Sequence, residues 1–113
     1  MKLLTAVVRP HRLDEAKNAL QSLGAHGLTV TGARGHGRRP GHTEVSRGAE
    51  DTVGLTPEVR TEALAADEDA GRLTAAAVVT TARTGTLGDG EVWSVPVDTA
   101  VRARTGERGA DAL

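Results

Sequence analysis

Three short segments combine backbone and charge in a way that suits phosphate. In RGHGRR, Arg34 to Arg39, Gly35 and Gly37 allow close backbone approach, and Arg38 can hold an oxyanion with two parallel N–H groups. In TGTLGDGE, Thr84 to Glu91, Gly88 and Gly90 on either side of Asp89 can turn successive amides toward one point, a nest for anions. In VRART, Val101 to Thr105, Arg102 and Arg104 are two apart, so an extended chain would project both to one side. Three such elements in one short chain suggest a nucleotide.

Each segment also has a plainer reading. Gly-rich connections are most often turns, Asp89 suits a turn, and two arginines on one strand face are commonly a solvated edge. No G-K-[ST] sequence occurs, and no strand leads into G-x-G-x-x-G, so the standard nucleotide loops are absent. His11, His26, His36 and His42 form no pair at metal-ligand spacing, and no Ser-His-Asp or paired-carboxylate arrangement is apparent. The residues therefore point to binding, with no catalytic group and no metal site.

Composition narrows the field further. The chain has 113 residues, enough for one domain with one core. With 14 Lys plus Arg against 15 Asp plus Glu, it lacks the basic excess of a general nucleic-acid binder. There is no Cys, which excludes a disulfide framework or a zinc-thiolate site. The opening MKLLTAVVRPHR has an apolar run too short for a signal sequence or a membrane span. A cytoplasmic protein without membrane insertion is expected. There is no Phe or Tyr and a single Trp, Trp93. A core of Ala, Val and Leu buries less area per residue, which favours gaining stability by oligomerising.

The elements that must position these segments follow from periodicity. Lys2 to Val8 reads as a buried-type strand closed by Arg9-Pro10. Leu13, Ala16, Leu20 and Leu23 recur at helical spacing, with Asp14 and Glu15 in the first turn and Gly24 as the stop, giving a helix over Leu13–Leu23. LTVTGAR is a second strand. Pro57 to Ala66 is a third, with Val59, Thr61 and Ala63 opposite Arg60, Glu62 and Leu64. Asp67 is a candidate N-cap for a second helix whose face carries Leu73, Ala76, Ala77 and Thr80, with Gly85 as its stop. GEVWSVPVD is a fourth strand with Trp93, Val95 and Val97 facing one way, and Pro96 marks it as an edge or a bulge. The tail after it, residues 99–113, reads as basic, then polar and partly loose at its end. The order β-α-β-β-α-β predicts a single α+β domain of the ferredoxin-like type. Its four-stranded antiparallel sheet carries both helices on one face and leaves the other to be covered, most simply by another subunit. The stretch between strands two and three, about residues 37–55, is longer than ordinary connections.

Taken together, KLLTAVVRPHRLDEAKNAL, GLTVTGARGHGR, GHTEVSRGAED, TGTLGDGEVW and VRARTGE resemble the PII signal-transduction proteins over essentially the whole chain. The resemblance implies non-enzymatic regulators of nitrogen metabolism that form homotrimers and bind ATP or ADP, with Mg²⁺, in clefts between subunits. It implies that Gly35, Gly37 and Arg38 hold the nucleotide from one side, that Glu62 and Leu64 lie near the base, and that Gly88, Asp89 and Gly90 cradle phosphates. Gly27, Leu28, Thr29, Arg102 and Arg104 would come from the neighbouring subunit. The long connection would be the T-loop, presenting His42, Thr43, Glu44, Ser46, Arg47, Gly48, Glu50 and Asp51 to an ammonium-type membrane transporter or a metabolic enzyme.

The sequence departs from that pattern around the effector site. The family's Gln that helps bind Mg²⁺ and 2-oxoglutarate is Arg39 here, followed by Pro40, and the Lys that pairs with the distal carboxylate is Glu58. Two unit anions 4 Å apart repel by about 4 kcal/mol at an effective dielectric near 20, where the family has attraction. Standard 2-oxoglutarate sensing is therefore doubtful, with Arg39 as a candidate replacement cation. The basic residue after GDG is Glu91, which removes a phosphate-neutralising charge. The modifiable loop Tyr is Asp51, and with no Tyr in the chain tyrosine nucleotidylation is excluded. The position of a phosphorylated Ser in some family members is Ala49. The two regulatory readings are a nucleotide-responsive PII protein and a divergent sensor of another nucleotide or carbon metabolite acting on a transporter or carboxylase-type enzyme.

Overall fold

In a computed structural model of the chain, residues 1–25, 27–36, 54–76 and 90–113 are described. β1 (Lys2–Val8) leads through a 3₁₀ turn at Pro10–Arg12 into α1 (Leu13–Ser22), then β2 (Thr29–Gly35), β3 (Thr56–Ala65), α2 (Asp67–Ala75) and β4 (Gly90–Pro96). The strands form one sheet in the order β2-β3-β1-β4, every pair antiparallel, as the ferredoxin-like reading predicts.

Alternation divides the sheet into two faces. Leu4 pairs with Ala63, and Ala6 lies between Thr61 and Val92, all on one face. Leu4 and Ala65 pack there with Leu20 of α1 and with Ala70 and Leu73 of α2, so both helices lie on this side. A second cluster joins Ala6 and Val8 to Val59 and Val92. The buried apolar residues include Ala6, Ala16, Ala63, Ala65 and Ala70, so the core is as light as the composition requires. Thr61 is buried among them, its hydroxyl donating to Ala6 O at 3.2 Å.

α1 ends as the sequence suggests. Gly24 has φ +102°, a conformation that strains any residue with a Cβ. Its N–H donates to Gln21 O (3.1 Å), and that of Ala25 donates to Leu20 O (3.0 Å), the paired bonds of a Schellman stop. Ala25 also packs on the cluster that contains Leu20.

Two expectations need correction. Asp67 is the first residue of α2, not its N-cap; Ala66 is the cap, with an extended backbone and no side-chain bond. The Asp67 carboxylate instead accepts from the Met1 ammonium at 2.8 Å, a charged donor that outcompetes a neutral backbone amide. The ammonium holds that carboxyl below the ordinary value of 3.8. The tail is the second correction. Residues 100–109 fold back as a small hairpin bridged between Val101 and Arg108, and Gly109–Ala112 close it with a 3₁₀ turn. Gly106 (φ +77°) and Gly109 (φ +64°) make these reversals. The second half of the second helix, with Ala77, Thr80 and Gly85, lies outside the described residues.

On the opposite face of the sheet, Leu3 stands between Leu64 and Val95, and Thr5 between Glu62 and Trp93. None of the described helices covers this face, and Leu64, Trp93 and Val95 are 38%, 38% and 42% exposed. β4 lies at the sheet's edge, where Pro96 is tolerated. Val97 follows the strand, its N–H donating to Met1 O at 3.1 Å.

Candidate functional site

One end of the sheet opens into a cleft of about 710 Å³. The chain entering β2 supplies Gly27, Leu28 and Thr29, β3 supplies Glu62, Ala63 and Leu64, and the far side is Leu3, Val97, Arg102, Ala112 and Leu113. The volume suits a nucleotide-sized ligand. The lining fits one as well, with apolar side chains for a base and a guanidinium for phosphate.

Glu62 is held in place by its neighbours. Its Oε2 accepts from the Thr5 hydroxyl at 3.2 Å and from Arg60 at 3.3 Å. The Arg60 guanidinium in turn lies 5.9 Å from the Trp93 ring centroid, within reach of a cation–π attraction. Thr5 is almost fully buried although it points to the open face. Thr5, Arg60 and Trp93 were not read as site residues from sequence. The alternation of Arg60, Glu62 and Leu64 along one strand was the available signal for a shared face.

Arg102 sits at the start of the hairpin turn. Its N–H donates to Glu107 O (2.9 Å), and Gly106 N–H donates back to Arg102 O (2.8 Å). The guanidinium donates to Glu107 Oε1 at 3.0 Å and to the main-chain oxygen of Leu113. The Thr105 hydroxyl fixes the same Glu107 oxygen at 2.7 Å. The turn overrides the extended geometry expected for VRART. Arg104 lies in the turn, outside the cleft lining.

The opposite end of the sheet carries the other described candidates. Gly35 pairs with Thr56, and Gly90 pairs with Val8, which in turn pairs with Val59. A Cβ on Gly35 would run into the Glu58 carboxylate, so that carboxylate lies directly against the Gly35 backbone. Gly90 has φ +113°, and a Cβ there would strike Val7 O. Glu91 lies across from Val7 on the exposed edge. Just beyond the last β2–β3 pair, His36 Nδ1 lies 2.9 Å from Gly54 O, and with a carbonyl as partner this nitrogen is the donor. Sequence reading left His36 without a role.

Within one chain, then, Gly27, Leu28, Thr29, Glu62, Leu64 and Arg102 share one cleft, while Gly35 and Glu58 lie toward the far end of β2 and Gly90 and Glu91 are level with Gly32 and Thr31. Thr29 and Gly35 bound a single strand and stand about 20 Å apart at strand rise. Gly37, Arg38, Arg39, Gly88 and Asp89 lie outside the described residues. So do His42, Thr43, Glu44, Ser46, Arg47, Gly48, Ala49, Glu50 and Asp51 of the long connection. Among the described residues no group of His, Asp and Glu is arranged to hold a metal ion. Nor is any described helix long and apolar enough to cross a membrane.

Comparison with known proteins agrees with the fold and with the segments. Residues 1–107 match the family described as Nitrogen regulatory protein P-II. The chain is 46% identical over 113 residues to the Nitrogen regulatory protein P-II of Rhizobium meliloti (strain 1021), covering all of both chains. It is 45% identical to that of Azospirillum brasilense, again over the full length of both. To the Nitrogen regulatory protein P-II 2 of Methanothermobacter thermautotrophicus it is 43% identical, covering 100% of this chain and 97% of the other. A four-stranded antiparallel sheet with two helices on one face, a long connection between β2 and β3, and full-length identity of this order lead to one conclusion: the chain belongs to the P-II nitrogen regulatory proteins, a family of regulators and not of enzymes.

Proposed function

We propose that this chain works as a homotrimeric P-II regulator that binds ATP or ADP across the boundary between two subunits and signals occupancy through residues 37–53 to a transporter or metabolic enzyme. The observation that carries this reading is the separation of the candidate residues. Arg102, Thr29 and Glu62 line the cleft, Gly35 lies at the far end of β2, and Gly90 is level with Gly32 between them. A ligand touching both Thr29 and Gly35 in one chain would have to run the length of a strand. Two copies set end against end supply both groups to one ligand. The exposed apolar row of Leu64, Trp93 and Val95 gives copies a surface to share, since burying it removes apolar area from water. In that arrangement the Arg102 guanidinium neutralises phosphate, Thr29 and Glu62 offer polar contacts, and Leu28 and Leu64 flank the base. Mg²⁺ would reduce the repulsion between phosphate and the nearby carboxylates. Native mass spectrometry tests the assembly, with a mass of three chains expected. Calorimetry with ATP and ADP tests the site, and absence of binding would refute the reading.

A second reading concerns what is sensed besides nucleotide. The Glu58 carboxylate lies against the Gly35 backbone, and Glu91 adds another acid at the same end. An anionic dicarboxylate such as 2-oxoglutarate meets repulsion there, which favours a sensor tuned to nucleotide alone or to a less anionic metabolite. Titration of 2-oxoglutarate into the ATP–Mg²⁺ complex separates the two, with no synergy expected for the natural chain. The Glu58→Lys variant is expected to gain it.

A further inference from the structure

The cleft that contains Arg102 is not left open by the chain. Ala112 and Leu113 form part of its wall, delivered there by the 3₁₀ turn at Gly109–Ala112. Gly109 sets the approach, with φ +64° and its N–H donating to Ala100 O at 3.0 Å. Both terminal nitrogens of Arg102 are engaged, one by Glu107 Oε1 and the other by Leu113 O. Two of the guanidinium's N–H donors, one on each terminal nitrogen, are thus already used from within the chain.

We infer that residues 110–113 act as an internal competitor for the nucleotide: in the free protein they occupy Arg102, and they are displaced when a phosphate takes their place. This inference rests on the nucleotide reading above. The energetics suit a reversible lock. The side chains of Arg102 and Glu107 are 36% and 45% exposed, and an exposed ion pair of this kind holds only weakly. The tail offers a single oxygen to one guanidinium nitrogen, whereas a phosphate forms charge-assisted, bidentate bonds with a guanidinium. The competitor therefore lowers affinity without abolishing binding. It also couples occupancy of the cleft to release of a segment at the protein surface.

The test compares three chains: the natural one, one ending at Gly109, and a full-length Ala110→Gly/Ala112→Gly variant whose tail costs more to order. Residues 100–109 are unchanged in sequence in all three, and the double variant guards against any effect of truncation on folding. Calorimetry with ADP is expected to give affinity about fivefold tighter for the shortened chain, with a smaller gain for the glycine variant. Amide exchange and relaxation at residues 110–113 are expected to report an ordered tail in the free natural chain and a mobile one at saturating ADP. A tail mobile without nucleotide, or still ordered at saturation, overturns the inference. Equal ADP affinity in the three chains overturns the competition while leaving the nucleotide site standing. Failure of all three to bind ATP or ADP removes the nucleotide reading, and the competition falls with it.

Discussion

At the Arg102 end of the sheet the chain is held by side chains: Thr5 and Arg60 converge on Glu62, and Arg102 ties the hairpin to Leu113. At the Gly35 end it is shaped by backbone, with Gly90 under Val7 O and Gly35 pressed on Glu58. The first end can lose one contact and keep its form, because each bond is modest and partly exposed. The second end depends at Gly90 on the absence of a Cβ, since the Val7 main chain cannot give way as the Glu58 side chain can at Gly35. Ligand specificity can therefore be retuned at the first end by ordinary substitution, whereas at the second Gly90 tolerates little change of residue type.

The largest expected break in this comparison is Gly90→Ala. Its positive φ and the collision with Val7 O together call for a loss of about 3 kcal/mol or more in urea denaturation. Gly27→Ala, with nothing within 4 Å of the added Cβ, is expected to stay within about 0.5 kcal/mol. Similar losses for the two would erase the contrast. Next in size is Arg102→Ala, for which ADP affinity in calorimetry is expected to fall at least about tenfold with the circular dichroism spectrum unchanged. Unaltered affinity would remove the guanidinium from the site. Thr5→Val deletes the buried hydroxyl that donates to Glu62, and about 1 kcal/mol of stability is expected to go with it. A neutral result would assign the orientation of Glu62 to Arg60 alone.

The smallest effect concerns acid. The Met1 ammonium lowers the Asp67 pKa in the folded chain, so folding favours the ionised carboxylate. That contribution is complete above the unfolded value of 3.8 and disappears as pH falls through the lower folded value. The stability difference between the natural chain and Asp67→Asn is expected to be slight at neutral pH, because the side chain is 69% exposed, and to vanish in acid. A difference that grows toward low pH would reverse the sign.

The sequence was most legible where periodicity was unbroken. Lys2–Val8 and the start of α1 at Leu13 follow directly from their apolar spacing, and Gly24 stops the helix as expected. The beginning of α2 was displaced by one residue because the partner of Asp67 is Met1, which is distant in sequence and invisible to a local capping rule. The tail was misread for a related reason. Its charges suggested solvent, while its order comes from main-chain bonds and two left-handed glycines, Gly106 and Gly109. As for the site, each segment was recognisable by residue type. Its assembly was not, because spacing alone cannot bring Gly27 to Arg102, and only the resemblance suggested that they act together.

The hydrogen bond from His36 to Gly54 O brings the two ends of the 37–53 connection side by side. A segment pinned in this way behaves as an interchangeable cassette. The cost of closing it grows only with the logarithm of its length, about 0.6 kcal/mol per doubling. Sequence between the pins can be lengthened, shortened or replaced without disturbing the sheet beneath, so one stable body can acquire new recognition by exchange of a single insert.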